Sequence, residues 1–129
     1  MTYKFEDVVA WQKAHAFVLE VYRQTRSYPD DERYGLTSQF RRAAVSIEAN
    51  IAEGYKKLGK ADKLRFFNVS QGSIEECRNY IILSRDLEFI TPGQFDTLYV
   101  LLEDASRMLM LYCEGIQRNA AVRDEQLLS

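Results

Sequence analysis

Five cations fall within ten residues of this chain: Lys56, Lys57, Lys60, Lys63 and Arg65, with Tyr55, Phe66 and Phe67 beside them. Lysine and arginine at that density neutralise phosphates, and aromatic faces can stack on bases, so the chemistry on offer is nucleic-acid contact. Arg41 is the sixth candidate phosphate contact. The carboxylates tell a different story. Glu53 and Glu76 could be imagined as an acid–base pair, but Arg42 and Asn50 lie close enough in the pattern to bind them. A structural polar network of Arg42, Asn50, Glu53 and Glu76 is therefore expected, because buried charges are generally paired. In that network Glu76 takes Arg42 or Asn50 as its partner. Of the adjacent arginines, about 100° apart on a helix, Arg42 is assigned to the structure and Arg41 to the outside.

Other chemistry finds little support. His15 is the sole histidine and no orienting partner for it can be picked out. A di-metal carboxylate bundle would want Glu-x-x-His motifs, yet Gln12 stands three residues before His15. Cys77 and Cys113 form no CxxC or Cys/His cluster and read as small apolar residues. The Gly54 to Gly59 stretch lacks the pattern of a phosphate-binding loop. No catalytic residue, metal, cofactor or small-molecule substrate is expected.

The net charge is only −2, but it is unevenly spread. Residues 1–31 carry four basic and five acidic side chains, residues 32–65 eight and four, and residues 66–129 five and ten. An electropositive surface in the second quarter is thus hidden by an acidic remainder. The longest uncharged run, Phe66 to Ile74, is nine residues and far too short to span a bilayer. The N-terminus has Glu6 and Asp7 and no apolar run of the kind a secretory signal needs, so a soluble, cytoplasmic protein is expected.

These residues must be positioned by helices. With 129 residues, one domain over 1–129 is expected. Breaks at Pro29-Asp30-Asp31, Gly54 to Gly59 and Thr91-Pro92-Gly93 leave four helical segments, near 7 to 24–28, 35–56, 61–88 and 92–119. Short connections make successive helices antiparallel, so the fold class is all-α, an up-down-up-down four-helix bundle. Thr91 and Pro92 read as N-cap and first helical residue, and Asp30 or Asp31 as a cap leading into the second helix. On the third helix Val69, Ser73, Glu76, Tyr80, Leu83 and Leu87 share a side and are taken as the inner face, with Gly72 and Ser73 marking a close helix approach. The first and fourth helices carry apolar residues around about half of their circumference. A second buried surface, against copies of the same chain, accounts for that width.

Three stretches carry a resemblance: FEDVVAWQKA (5–14), ERYGLTSQFRRAAVSIEANIAEGYKK (32–57) and QGSIEE (71–76). Through them the chain resembles the small four-helix bundle proteins encoded in intervening sequences of bacterial 23S ribosomal RNA genes, which are similar to accessory variability proteins of diversity-generating retroelements. The resemblance covers nearly the whole chain. It implies a ring, a homopentamer, without enzymatic activity, that binds structured RNA or other nucleic acid. The positions matching the pattern are Trp11, Tyr34, Gly35, Leu36, Arg41, Arg42, Asn50, Glu53, Gly54, Gly72, Ser73 and Glu76. Two places depart from it: Glu48-Ala49 stands where Pro-Ser is usual, and Glu75 where a small residue is usual. The acidic balance is a third departure, since related proteins are often basic.

The expected function is therefore a non-enzymatic oligomer that binds structured nucleic acid through the region joining its second and third helices. The competing expectation is an oligomeric protein-interaction scaffold with no nucleic-acid binding.

Overall fold

The structure is a computed structural model that describes residues 4–128, with side chains described for residues 4–119. Helix α1 spans Val9–Thr25, α2 Leu36–Lys56, α3 Lys60–Asp86 and α4 Pro92–Leu128, with short 3-10 turns at Phe5–Asp7 and Asp30–Glu32. No strand is formed among the described residues. The fourth helix runs beyond the 119 expected from sequence, because no glycine or proline follows Gly115 to stop it.

Each helix borders two neighbours, α1 on α2 and α4, α3 on α2 and α4, while the diagonal pairs stay apart. Contacts near the helix ends fix the directions. Arg41, early in α2, donates to Thr25 at the end of α1, and Gln24 reaches the Gln94 carbonyl at the start of α4. Tyr28, just past α1, bonds to Ser84 near the end of α3. The ends of α1 and α3 thus meet the beginnings of α2 and α4, which makes an up-down-up-down bundle.

The helix ends are held by identifiable groups. Thr91 and Gln94 form a capping box: Thr91 Oγ1 accepts from the Gln94 amide at 3.1 Å and Gln94 Oε1 from the Thr91 amide at 2.8 Å. At α2 the carboxylate that caps is neither Asp30 nor Asp31 but Glu32, whose Oε2 accepts from the Leu36 amide at 2.8 Å. Gly35 leaves room for it, since a Cβ there would sit 2.9 Å from that oxygen. Helix α3 ends with Glu88 at φ 62°, its amide bonded to the Arg85 carbonyl and that of Phe89 to Ser84. This is the left-handed termination that usually employs glycine.

One core runs the length of the bundle, built around Phe17, Phe40, Ile47, Ile51, Phe67, Ile74, Ile81, Leu98, Leu102 and Leu109. The face expected for α3 is not the one buried. Its inner stripe is Phe67, Ser70, Ile74, Cys77, Ile81 and Ser84, whereas Val69, Glu76, Leu83 and Leu87 are exposed. Two serines disguise that stripe in the sequence. Each is buried with its hydroxyl satisfied: Ser70 Oγ donates to the Ile47 carbonyl at 2.8 Å, and Ser84 Oγ accepts from the Tyr28 hydroxyl at 2.7 Å. On α1 the buried stripe is Ala10, Ala14, Phe17, Val18 and Val21, leaving Trp11 and His15 at its edge.

Gly72 has open space where a Cβ would stand, so it marks no close approach. Gly54 does: a Cβ there would lie 2.6 Å from Phe67 Cε1 and 3.0 Å from Phe66 Cβ. The glycine that admits the neighbouring helix is therefore Gly54 at the end of α2, while at the middle of α3 it is Ser70 and Ser73 that touch α2. Burial beside Phe89 pushes the Tyr28 phenol above its ordinary pKa, so it remains a donor to Ser84. Tyr28→Phe is expected to cost about 1 kcal/mol through the lost buried hydrogen bond. Urea denaturation at fixed protein concentration checks this, and an unchanged midpoint would show that the bond contributes nothing.

Candidate nucleic-acid interface

Helix α2 ends at Lys56, the chain turns through Lys57, Leu58 and Gly59, and α3 begins at Lys60. Between Glu53 and Arg65 this corner carries five cations against two carboxylates. The close approach at Gly54 brings the first turns of α3 onto the last turn of α2, which holds the cations in one place. Lys56 and Lys60 are exposed, and neither they nor Lys57 joins an ion pair among the described residues. Lys57 Nζ stands 5.0 Å from the Phe66 ring centroid and the Arg65 guanidinium 5.1 Å from the same ring. Arg65 is exposed and also within 3.4 Å of Asp62. Leu58 is fully exposed at the tip.

Two of the six expected phosphate contacts hold other positions. Lys63 Nζ donates to the Tyr55 carbonyl at 2.5 Å and lies 3.4 Å from that of Gly54, so it closes the C-terminus of α2. An ammonium beside unpaired C-terminal carbonyls is well placed for the helix dipole. Partial burial lowers its pKa from the usual lysine value. Arg41 lies fifteen residues before Lys56, about 22 Å along the α2 axis, and so belongs to the opposite end of the bundle. Its Nε donates to Thr25 Oγ1 at 2.8 Å and its guanidinium covers the Tyr22 ring at 4.7 Å.

The expected polar network of Arg42, Asn50, Glu53 and Glu76 does not form. Arg42, Glu53 and Glu76 are all exposed, and no hydrogen bond or ion pair joins any of the four to another. Glu76 accepts from the Tyr80 hydroxyl at 2.8 Å, with Gln39 Oε1 3.0 Å from the same oxygen, and Asn50 donates to the carbonyl and hydroxyl of Ser46. Ser73 meets Ser46 at 2.9 Å. The physical reason is the rotation of α3: with Ile74 and Cys77 inward, Glu76 turns to solvent and needs no cation. The assignment of the adjacent arginines is likewise reversed, since Arg41 is anchored and Arg42 points out.

Sequence reasoning missed two polar links. His15 Nδ1 donates to Glu48 Oε2 at 2.8 Å, and Trp11 stacks on the imidazole at 4.7 Å. Arg78 bridges α3 to α4 through Glu103 at 2.9 Å, with Glu75 3.5 Å away. Both Glu48 and Glu75 are positions where the chain departs from the motif, and each faces a cation-forming side chain. Those departures were the available signal. Among the described residues no cluster of histidine, cysteine or acid could hold a metal, and no helix is long and apolar enough to cross a membrane.

An all-α four-helix bundle with a cationic corner between α2 and α3 defines the class of protein. Residues 6–111 match the model of the 23S rRNA-intervening sequence protein family, and the chain belongs to that family. A crystal structure of a protein of unknown function from the S23 ribosomal protein family of Bacteroides thetaiotaomicron is similar in fold. Its TM-score is 0.77 at 20% identity, over 84% of this chain and 98% of that one. No curated protein sequence matches the chain.

Proposed function

We propose that this protein is a non-enzymatic, cytoplasmic bundle that binds structured RNA or other nucleic acid through the α2–α3 corner, and that it works as a homo-oligomer, a pentameric ring. The observation that carries the reading is the set of lysines free of ion pairs at this corner, Lys56 and Lys60 exposed and Lys57 partly buried over Phe66, backed by Arg65. Solvated lysines of this kind release counterions on meeting phosphate, and a symmetric ring repeats the corner, which raises avidity. Arg41 and Lys63 are left out of this surface by their anchoring within the bundle.

Fluorescence anisotropy with a labelled RNA hairpin, titrated across salt concentration, tests the reading. The expected result is an affinity whose logarithm falls linearly with the logarithm of salt, with a slope of about −3 or steeper for three or more phosphates. An absence of binding at low salt, or binding indifferent to salt, would overturn it.

The second reading, an oligomeric scaffold for protein partners, is favoured by a separate observation. Large apolar side chains are exposed along α1, α3 and α4, among them Val9, Leu19, Val69, Leu83, Val100 and Leu111, while α2 exposes only Val45. Such surface suits self-association or a protein partner. The two readings are compatible in their oligomer, and only the second predicts binding of a protein that survives nuclease treatment.

A further inference from the structure

At the other end of α2 a cleft of about 310 Å³ is lined by Tyr22, Arg33, Tyr34, Arg41 and Arg42 together with Thr37 and Ser38, with no carboxylate in its lining. Tyr34 is 86% exposed, which leaves most of its phenol ring in water. The backbone beneath it is held on both sides. The Arg33 amide bonds to the Asp30 carbonyl at 3.1 Å, the Gly35 amide to that of Glu32 at 3.0 Å, and the Glu32 carboxylate caps α2 at Leu36. A ring presented to solvent on a pinned turn is a pre-organised platform.

The cations around it are arranged differently from the lysine corner. The Arg33 guanidinium lies 5.5 Å from the Tyr34 ring centroid, and Arg41 is fixed by Thr25 and the Tyr22 ring. Arg42 is exposed and joins no ion pair among the described residues. Three guanidiniums offer forked donors to phosphate oxygens. Asp30 and Asp31 on the neighbouring turn are exposed, and they temper the field without entering the cleft.

The geometry points to a single-stranded nucleic-acid site in this cleft, where one splayed base stacks on Tyr34 and the flanking phosphates engage Arg42, Arg41 and Arg33. A duplex keeps its base faces inside the stack and cannot use an exposed ring in this way, whereas an unpaired loop or end can. The site lies about 22 Å along α2 from the lysine corner and does not depend on it. Together the two would let one protomer hold a paired and an unpaired segment of the same molecule.

Anisotropy with a labelled ten-nucleotide oligouridylate, which does not fold on itself, tests the site beside a blunt-ended RNA duplex that has no unpaired base. Tyr34→Ala is expected to weaken oligouridylate binding roughly five- to a hundredfold, the loss of one stacked base. Tyr34→Phe keeps the wild-type affinity, and binding of the blunt duplex is unchanged by either. Arg42→Ala lowers the salt slope for the single strand by about 0.7, one phosphate contact. No oligouridylate binding by the wild-type chain overturns the inference, as does unchanged binding in Tyr34→Ala or an equal loss on both probes. Duplex binding without oligouridylate binding removes this site and leaves the corner standing; the converse removes the corner and leaves this site.

Discussion

Reversing Lys56, Lys57 and Lys60 to glutamate is expected to weaken hairpin binding on the order of a hundredfold or more near physiological salt, and to reduce the salt slope by about 2.7. The magnitude follows from three phosphates no longer neutralised and three carboxylates now repelling them. Folding is spared, because these lysines join no ion pair among the described residues and Lys56 and Lys60 are exposed. Lys57 gives up only its position over Phe66, worth about 0.5–1 kcal/mol at a surface site. Lys63 is deliberately left out of the reversal, since it holds the carbonyls that end α2. Wild-type affinity in the triple variant, with an intact circular dichroism spectrum, would show that the corner is an ordinary solvated helix end.

Phe67→Ala is expected to cost about 3–5 kcal/mol, a large part of the roughly 5–15 kcal/mol that a domain of this kind has in total. Phe67 is fully buried, packs at 5.3 Å from the Tyr112 ring, and sits directly beneath Gly54. That last contact makes a coupled prediction. Alanine is the better helix former than glycine by about 1 kcal/mol, yet Gly54→Ala is expected to destabilise, because overpacking against a fixed ring costs about 1–3 kcal/mol. In the Phe67→Ala background the obstructing ring is gone and only the Phe66 Cβ stays close, so the same change costs less than in the wild type. Urea midpoints for the wild type, both single variants and the double variant, at one protein concentration, measure the coupling. Strictly additive costs would show that Gly54 is not there for the approach of α3.

The two predictions meet at one place. Gly54 admits Phe66 and Phe67 to the end of α2, and that approach gathers the lysines and brings Lys57 and Arg65 onto Phe66. A loosened seam is therefore expected to spread the cationic corner as well as weaken the core.

Much of this was decided by the sequence itself. Helix spacing, the scarcity of breakers, Thr91-Pro92 and the short connections determined four helices and their alternation, because those signals are local and periodic. The density of cations between Lys56 and Arg65 was equally visible, since charge close in sequence stays close in space around a tight turn. What only the tertiary structure decided is the rotation of each helix about its axis and the partners that follow from it. Two apolar stripes compete on α3, and the chain buries the one containing Ser70 and Ser84, because the Ile47 carbonyl and the Tyr28 hydroxyl stand opposite to satisfy them. That choice turned Glu76 to water, dissolved the expected network with Arg42, Asn50 and Glu53, and left Gly72 open. Partners distant in sequence fixed the rest: Thr25 claimed Arg41, Glu48 oriented His15, and Arg42 was left facing solvent beside Tyr34. Local periodicity reports which residues share a side of a helix, but only the opposing helices determine which side is inward.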